Sequence, residues 1–245
     1  MLPSHPFAPF THRVRGLGIA LPIGLSVWRL QLDQLLAAQL HCEHELDAIT
    51  VAVIRQTHWP ELVARRLATA AWMRSLLAGQ LGCSVRDLRL GEDHNGKPKL
   101  VNPDGQLPHV TFNLSHCTDA ALLVLDDHGR AVGVDIEQPL ARRDLKRLAA
   151  QFLTASEHQR IATIAPQQLE LWLLQHWSAK EALAKAWGLG LSAGLQHIAV
   201  DAELSYRLLH HGCDRAPDGE WRILQLDVPQ PFVGFVAVDS SQRAL

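Results

Sequence analysis

The sequence lacks the features that mark several large functional classes. Its formal net charge is only −2, with 23 Lys and Arg against 25 Asp and Glu, so it has no overall positive field for binding nucleic acid. Its four cysteines form no C-x-x-C pair and no disulfide-dense spacing, which is typical of a reducing compartment. No apolar run approaches the ~20 residues that a membrane-spanning helix needs. We therefore expect a cytoplasmic protein that binds neither nucleic acid nor a membrane.

One short apolar segment, residues 17–27, imitates a secretion signal because Arg13 and Arg15 precede it. Pro22 interrupts this segment, and no small-residue cleavage site follows it. We therefore interpret residues 17–27 as a buried strand. The first ~15 residues contain three prolines and no periodicity, which predicts an irregular lead-in.

The remaining composition is that of a packed globular protein. Apolar residues make up 47% of the 245 residues and charged residues 20%, with no internal repeat or low-complexity tract. Apolar residues recur at spacings of three and four over residues 59–80 and 167–187, which predicts two long helices. Thr154 and Glu157 have the spacing of a capping box, which accounts for Glu157 without a catalytic role.

Strand-like runs occur around residues 110–136 and again over residues 198–238. These runs do not alternate with helices as in a doubly wound sheet, so we predict an α+β fold. The turn-forming segment at residues 126–129 is the best candidate for a boundary. It would divide the chain into an N-terminal half, residues 1–128, and a C-terminal half, residues 129–245.

Two carboxylates on one predicted strand form the first candidate site. In the segment G-V-D-I-E, residues 133–137, the two-residue period puts Asp135 and Glu137 on one face, ~7 Å apart. Hard oxygen ligands so placed suit Mg²⁺, which takes one or two carboxylates and completes its coordination with water and substrate phosphate. The alternative is a pair of solvated charges on the outer face of a strand.

The second candidate is the segment W-S-A-K-E-A-L-A-K, residues 177–185, on the second predicted long helix. Glu181 and Lys185 are spaced i, i+4, and by themselves could form an exposed ion pair. Lys180 falls near the middle of the apolar arc of the helix, where its ammonium must snorkel or meet an anion. We therefore include Lys180 among the candidate ligands of an anionic substrate.

Two further segments offer groups that suit phosphate. The segment F-N-L-S-H ends a predicted strand in Ser115 and His116, which point to opposite faces and cannot act together as nucleophile and base. No nucleophile elbow of the G-x-S-x-G type is present there. The segment G-K-P-K, residues 96–99, is a turn that delivers lysines beside a β-run. The alternatives are local backbone hydrogen bonds for the first segment and solvated lysines for the second.

Taken together and in order, G-K-P, F-N-L-S-H, G-V-D-I-E and W-S-A-K-E-A-L-A-K resemble the motifs of phosphopantetheinyl transferases of the surfactin-synthetase-activating type. The resemblance implies a pseudo-symmetric pair of α+β halves, each a small antiparallel sheet packed with a long helix. It implies coenzyme A in the cleft between the halves. It also implies holo-acyl-carrier-protein synthase activity: transfer of 4′-phosphopantetheine from coenzyme A to a carrier serine, with release of 3′,5′-ADP.

The resemblance implies a metal and a mechanism. Asp135, Glu137 and Glu181 would gather around one Mg²⁺, with Mn²⁺ as an alternative, together with the pyrophosphate of coenzyme A. The metal would neutralise the pyrophosphate. Glu181, directly or through a metal-bound water, would take the proton of the carrier serine as it attacks the β-phosphate. Lys185 would steady the leaving 3′,5′-ADP.

The resemblance also implies which residues bind coenzyme A. Ser115 and His116 match residues that contact the nucleotide phosphates. Lys97, with the neighbouring Pro98, matches a residue near the adenine-ribose end, and Arg65 matches an arginine on the 3′-phosphate side.

The implied partners are acyl carrier proteins and the peptidyl or polyketide carrier domains, which are typically acidic around the modified serine. A short predicted helix with Arg142, Arg143 and Lys146 is therefore a candidate docking surface. We expect a monomer, because one chain supplies both halves of the cleft. Two alternatives remain: a Mg²⁺-dependent nucleotide or pyrophosphate hydrolase, and an adaptor that binds carrier proteins without catalysis.

Overall fold

The structure, a computed structural model, describes residues 6–39, 42–101, 110–139, 145–201 and 207–241. Its strands form a four-stranded antiparallel sheet, a five-stranded antiparallel sheet and a separate hairpin. Its α-helices are α1 (Leu32–Ala37), α2 (Ala48–Arg55), α3 (Pro60–Leu81), α4 (Leu145–Phe152), α5 (Ala155–Arg160) and α6 (Pro166–Ala186). The predicted α+β class is confirmed.

The two sheets come from successive parts of the chain. The first contains, in spatial order, β1 (Thr11–Val14), β2 (Leu25–Gln31), β6 (Ala120–Asp126) and β5 (Thr111–His116). The hairpin consists of β3 (Leu90–Glu92) and β4 (Pro98–Leu100). The second sheet contains, in spatial order, β7 (Val132–Glu137), β11 (Val233–Asp239), β10 (Trp221–Gln225), β9 (Arg207–His211) and β8 (Ile198–Asp201). The turn that follows β6 therefore leads from the first sheet into the second.

The two long helices lie within a residue or two of their predicted positions. Each begins with a proline, whose fixed φ suits the first helical turn and whose missing N–H would have no partner there. Helix α3 ends at Gly82, which adopts the left-handed conformation with a φ of 67°. The capping box is confirmed, because the Thr154 side chain accepts the Glu157 N–H while the Glu157 carboxylate accepts the Thr154 N–H.

Strand β6 shows how the layers stack, because it is buried on both faces. Leu123 belongs to the apolar cluster that contains Trp72 of α3, whereas its neighbour Leu122 belongs to the cluster that contains Val236 of the second sheet. The other face of the second sheet packs on α6. The order of layers is α3, first sheet, second sheet and α6, which explains why β6 reads as a continuous apolar run. Within the described residues, no helix combines the length and the apolar character needed to cross a membrane.

Two predictions for the N-terminal region are wrong. Residues Thr11–Val14, which we expected in an irregular lead-in, form the edge strand β1 and pair with β2. Residues 17–27 are not one buried strand, because β2 begins only at Leu25, and Leu17 and Ile23 are exposed. The reason is local: Gly18 and Gly24 have positive φ, so the chain turns twice before it enters the sheet.

Candidate functional site

Strands β5 and β7 are edge strands of different sheets, and they lie side by side. The Asn113 side-chain oxygen on β5 accepts the Val134 N–H on β7 at 2.9 Å. At the start of the same pair of strands, the Thr111 hydroxyl donates to the carbonyl of Arg130. These bonds bring the F-N-L-S-H and G-V-D-I-E segments together, and Asn113 was not among the predicted site residues.

Helix α6 lies directly on β7 at Gly133. A Cβ atom at this position would lie 2.1 Å from the Ala182 carbonyl oxygen and 2.3 Å from the Ala186 nitrogen. The glycine is therefore required for close approach of the helix to the strand, not for an unusual backbone conformation. This contact places the W-S-A-K-E-A-L-A-K segment next to the carboxylates of β7.

Asp135, Ser115 and Lys185 form a hydrogen-bonded cluster at this junction. The Lys185 ammonium donates to Asp135 Oδ1 at 2.7 Å and to Ser115 Oγ at 2.9 Å, and the Ser115 hydroxyl donates to the same Oδ1 at 3.0 Å. Asp135 is only 3% exposed, so the alternative of a solvated surface charge is wrong for this residue. Its second oxygen, Oδ2, is buried and accepts no hydrogen bond from any residue that the structure describes.

The charge on Lys185 is stabilised by several carboxylates at once. Burial by itself would lower the pKa of Lys185, but the carboxylates of Asp135, Glu181 and Glu137 outweigh burial and raise the pKa above its usual value. The three predicted metal-binding carboxylates thus all stabilise the charge of one partly buried cation, the Lys185 ammonium, whose side chain is 25% exposed. Its closest carboxylate is Asp135 on β7, not Glu181 at i−4 on its own helix.

Trp177 adds a contact that the sequence reasoning did not anticipate. Its indole N–H donates to Glu137 Oε1 at 2.8 Å, and its ring packs edge-on against Phe152 at 5.3 Å. Trp177 lies four residues before Glu181, so it is on the same face of α6 as that carboxylate. That i, i+4 spacing is the feature of the sequence from which Trp177 could have been predicted to lie at the site. The indole holds Glu137 at the edge of the cluster.

A group of basic residues lies beside the carboxylates. His116 ends β5 next to Ser115, and although part of its side chain is exposed, burial of the ring lowers its pKa, with further lowering from Lys185, Arg66 and Arg65. Arg65 Nη1 on α3 lies 3.7 Å from Asp119 Oδ1, which follows β5. The structure thus brings His116, Lys185 and Arg65 to one region. The neighbouring cations disfavour protonation of His116, and a concentration of basic groups is the pattern expected where an anionic ligand binds.

Lys97 and Pro98 lie on the hairpin. The Lys97 ammonium donates to the carbonyl oxygens of Val132 and Lys185, each at 2.8 Å, and burial lowers its pKa to about 8. Both residues line a cavity of about 340 Å³, which Phe112 also lines. The structure therefore shows Lys97 bound to one main-chain carbonyl at the end of α6 and one at the start of β7.

Lys180 is not brought to the site. It is fully buried, and its ammonium donates to Glu157 Oε2 at 2.5 Å and to the Phe152 carbonyl at 2.7 Å. The sequence left open whether the Lys180 ammonium snorkels to solvent or meets an anion. It meets an anion, and that anion is Glu157 of the same protein. The inclusion of Lys180 among the substrate ligands is thus corrected: its contacts are those of a core ion pair.

The predicted docking residues are only partly described. Arg142 and Arg143 lie outside the described residues, whereas Lys146 is exposed on the first turn of α4.

The arrangement suits a hard cation, although the side chains do not already form a closed cage. Among the described residues, no group of three or more His, Cys, Asp or Glu stands close enough together to hold a metal ion. However, Asp135 presents a buried oxygen that has no donor in the part of the chain that the structure describes, and three carboxylates already stabilise one positive charge. Carboxylate oxygens of this kind are the donors that Mg²⁺ prefers.

Comparison with known proteins identifies similar sequences. Residues 131–237, which include the motifs on β7 and α6, match the sequence profile described as the 4′-phosphopantetheinyl transferase superfamily. The chain is 34% identical over 171 residues to the 4′-phosphopantetheinyl transferase AcpT of Escherichia coli, covering 69% of this chain and 78% of that protein. It is 29% identical over 176 residues to the 4′-phosphopantetheinyl transferase HetI of a Nostoc species, covering 72% of this chain and 73% of that protein.

A third relative is matched over less of its length. The chain is 32% identical over 165 residues to a putative 4′-phosphopantetheinyl transferase of a Synechocystis species, which is 67% of this chain and 65% of that protein. The chain therefore spans slightly less than two thirds of this relative.

Proposed function

Because the chain belongs to the 4′-phosphopantetheinyl transferase superfamily, we propose that it moves 4′-phosphopantetheine from coenzyme A to a serine of an apo carrier protein. The observation that carries this proposal is the cluster of Asp135, Lys185 and Ser115, with Glu137 and Glu181 around it and His116 beside it. At this junction of two sheets, cations suit the pyrophosphate of the substrate, and carboxylates suit a metal ion that binds together with that pyrophosphate.

We assign the chain to the surfactin-synthetase-activating type, since four motifs occur in one chain in the order of that type. The two sheets, which come from successive parts of the chain and meet at β5 and β7, support this assignment. The natural partners would be acyl, peptidyl or polyketide carrier proteins, and the protein would act as a monomer.

Asp135, Glu137 and Glu181 are the residues that would hold Mg²⁺, or Mn²⁺ in its place. When bound, such an ion supplies positive charge that neutralises the pyrophosphate and stabilises the leaving group. The chain contributes the rest from its own side chains. Trp177 fixes the orientation of Glu137 by donating to its carboxylate, and Ser115 fixes that of Asp135.

Glu181 is the proposed general base. The residue is 8% exposed, and its carboxylate stabilises the positive charge of Lys185. It would accept the proton of the carrier serine while the serine oxygen bonds to the β-phosphorus of coenzyme A and the bond from that phosphorus to the bridging oxygen breaks. The electron pair leaves with 3′,5′-ADP. Lys185, kept protonated by its carboxylate neighbours, would stabilise the negative charge that develops on that oxygen.

His116 and Ser115 would bind the nucleotide phosphates, and Arg65 would bind on the 3′-phosphate side. An anion in that region would favour protonation of His116, which Lys185 and Arg65 disfavour in its absence, and this supports the placement. Pro98 is exposed and borders the cavity on the hairpin, so it would contact the adenine end.

Intact mass spectrometry tests the proposal. An apo acyl carrier protein incubated with the enzyme, coenzyme A and Mg²⁺ should gain one phosphopantetheine group. Asp135→Ala should abolish the gain, whereas Asp127→Ala, at an exposed turn outside the cluster, should retain it. If no class of apo carrier gains mass while coenzyme A is hydrolysed, the protein is a Mg²⁺-dependent hydrolase. Binding of carriers without any change to coenzyme A would identify an adaptor instead.

A further inference from the structure

The β3–β4 hairpin reaches across the molecule and contacts the C-terminal end of α6. The Asn95 side-chain amide donates to the Gly188 carbonyl at 2.6 Å. The Lys97 ammonium donates to the Lys185 carbonyl and to the Val132 carbonyl, both at 2.8 Å. One hairpin thus supplies donors to the end of the helix and to the first residue of β7.

The hairpin turn is built to present these donors in a fixed position. Asp93 Oδ1 accepts the N–H groups of Asn95 and Lys97 at 2.8 and 2.9 Å, which closes the turn from inside. Gly96 adopts a φ of 80°, which allows the chain to reverse between them. Because the last carbonyls of a helix carry partial negative charge, a cation is favoured at this end. The Lys185 carbonyl already accepts the Gly188 N–H at 3.1 Å, so the Lys97 ammonium adds a second, charged donor to it. The Asn95 amide binds the carbonyl of Gly188, two residues beyond the end of α6.

The contact with Lys185 links the hairpin to the reacting region. The main chain of Lys185 is held by Lys97, while the ammonium of the same residue donates to Asp135 on β7. Lys97 also holds Val132, three residues before Asp135. A shift of α6 along β7 would therefore break the Lys97 bonds and the Lys185–Asp135 bond together.

We propose that Lys97, assisted by Asn95, is a positioning residue that clamps the end of α6 onto β7 and so holds Lys185 and Glu181 in register with Asp135, without contacting coenzyme A through its side chain. The kinetic part of this proposal rests on the proposed transferase function. The clamp itself concerns only the folded chain.

The chemistry of Lys97 favours this role over substrate binding. Two of the three N–H donors of its ammonium already bind carbonyl oxygens at good distance, and a ligand phosphate would have to displace them. Lys99, two residues further along the same hairpin, is exposed and provides a lysine in the same loop for comparison.

The test compares Lys97→Met, Lys97→Arg, Asn95→Ala and Lys99→Met in the full chain. Lys97→Met should lower kcat for carrier modification by about 10-fold, the scale of one or two lost hydrogen bonds, and change KM for coenzyme A by less than about threefold. Lys97→Arg, which keeps a cation and several donors, should recover most of kcat. Asn95→Ala should also lower kcat, by a smaller factor. Lys99→Met should leave kcat unchanged, and because Lys99 lines the hairpin cavity, any effect of this variant should fall on KM for coenzyme A.

Hydrogen exchange read by mass spectrometry gives a readout that does not depend on turnover. Amides at the end of α6, residues 183–189, should exchange about 10-fold faster in Lys97→Met and should stay protected in Lys99→Met. A large increase in KM for coenzyme A with kcat and exchange unchanged would overturn the proposal and make Lys97 a direct ligand. Unchanged exchange and kinetics in both Lys97→Met and Asn95→Ala would also overturn it. If the unchanged protein modifies no carrier, the transferase proposal fails, and the exchange data still decide whether the clamp exists.

Discussion

Lys180 and Lys185 lie five residues apart on α6 and have opposite surroundings. Lys180 is sealed in the core of the second sheet and α6, where Glu157 and main-chain carbonyls bind its ammonium. Lys185 reaches the junction of the two sheets, where its partners are Asp135 and Ser115. The first lysine is thus part of the fold, and the second belongs to the candidate site.

Changing each lysine to methionine should therefore affect a different property of the protein, activity for Lys185 and stability for Lys180. Lys185→Met should lower kcat by about 10²–10³-fold, because a positioned cation next to developing charge is lost. Lys180→Met should lower the free energy of unfolding by about 3–5 kcal/mol, since Glu157 is left buried without its cation. The folded fraction of Lys180→Met should have the same KM for coenzyme A as the unchanged protein. Urea unfolding and steady-state kinetics on both variants measure the two effects, and a raised KM in stable Lys180→Met would restore Lys180 as a substrate ligand.

The contact between α6 and β7 decides the geometry of the site at the level of elements. Glu181 and Lys185 come from the helix, and Asp135 and Glu137 come from the strand, so the distances between them depend on how closely the two elements pack. Gly133 sets that separation, because any side chain there would meet the backbone of α6. Backbone atoms cannot rotate out of the way, so the helix itself would have to move.

Gly133→Ala should therefore damage stability and activity together. We expect the free energy of unfolding to fall by about 1–3 kcal/mol from overpacking, and kcat to fall by at least about 10-fold because Lys185 and Glu181 shift relative to Asp135. Gly234→Ala on the neighbouring strand β11 is the matched control. Its added Cβ would lie 3.3 Å from Leu122 Cδ1, a side-chain atom that can move. Equal effects of the two substitutions would show that the close approach at Gly133 has no special importance.

At the scale of the whole molecule, the acid stability of the fold depends on a histidine inside α6. His176 is fully buried, donates from Nδ1 to the Trp172 carbonyl at 2.9 Å, and packs on the Trp172 ring. The pKa of His176 is lowered from 6.5 to about 4, mainly by burial and also by Lys180 and Arg160, against an upward effect of the Trp172 carbonyl and Glu157. The imidazole is therefore neutral in the folded protein at neutral pH.

Between pH 6.5 and about 4 the unfolded chain binds a proton at this histidine that the folded protein does not. The stabilisation is fully present above pH 6.5 and is lost as the pH falls, by up to about 1.4 kcal/mol per pH unit and about 3 kcal/mol in total. His176→Phe should flatten the pH dependence of the unfolding free energy between pH 7 and 5. The pKa of Glu157 is lowered from its usual 4.5, so its stabilisation is fully present above pH 4.5 and is lost only below it; Glu157 therefore adds no slope between pH 7 and 5. Identical slopes for variant and parent would contradict this assignment.

Carrier binding also depends on charges at the surface of the molecule, away from the cluster around Asp135. Lys146 is exposed on α4, on the same chain segment as the two arginines that lie outside the described residues. If α4 docks an acidic carrier, Lys146→Glu should raise KM for the carrier by about threefold to tenfold at low salt and less at high salt. Arg86→Glu, at an exposed position before β3, controls for the change in net charge. An unchanged carrier KM in Lys146→Glu would place the docking surface elsewhere.

The sequence by itself determined what lies within single elements. Periodicity located α3 and α6, and proline and glycine fixed their ends. The two-residue period of β7 put Asp135 and Glu137 on one face, and the capping box fixed Glu157 at the start of α5. Such features depend on residues a few positions apart, so local geometry is sufficient to predict them.

Only the tertiary structure decided which elements meet. It paired Lys180 with Glu157 and Lys185 with Asp135, joined Trp177 to Glu137, and placed Lys97 at the end of α6. These partners lie 23 to 88 residues apart in the chain, and helical or strand periodicity says which face a side chain occupies but not what packs against it. A lysine in an apolar arc needs an anion for charge balance, and the packing of the layers, not the local sequence, selects which anion is within reach.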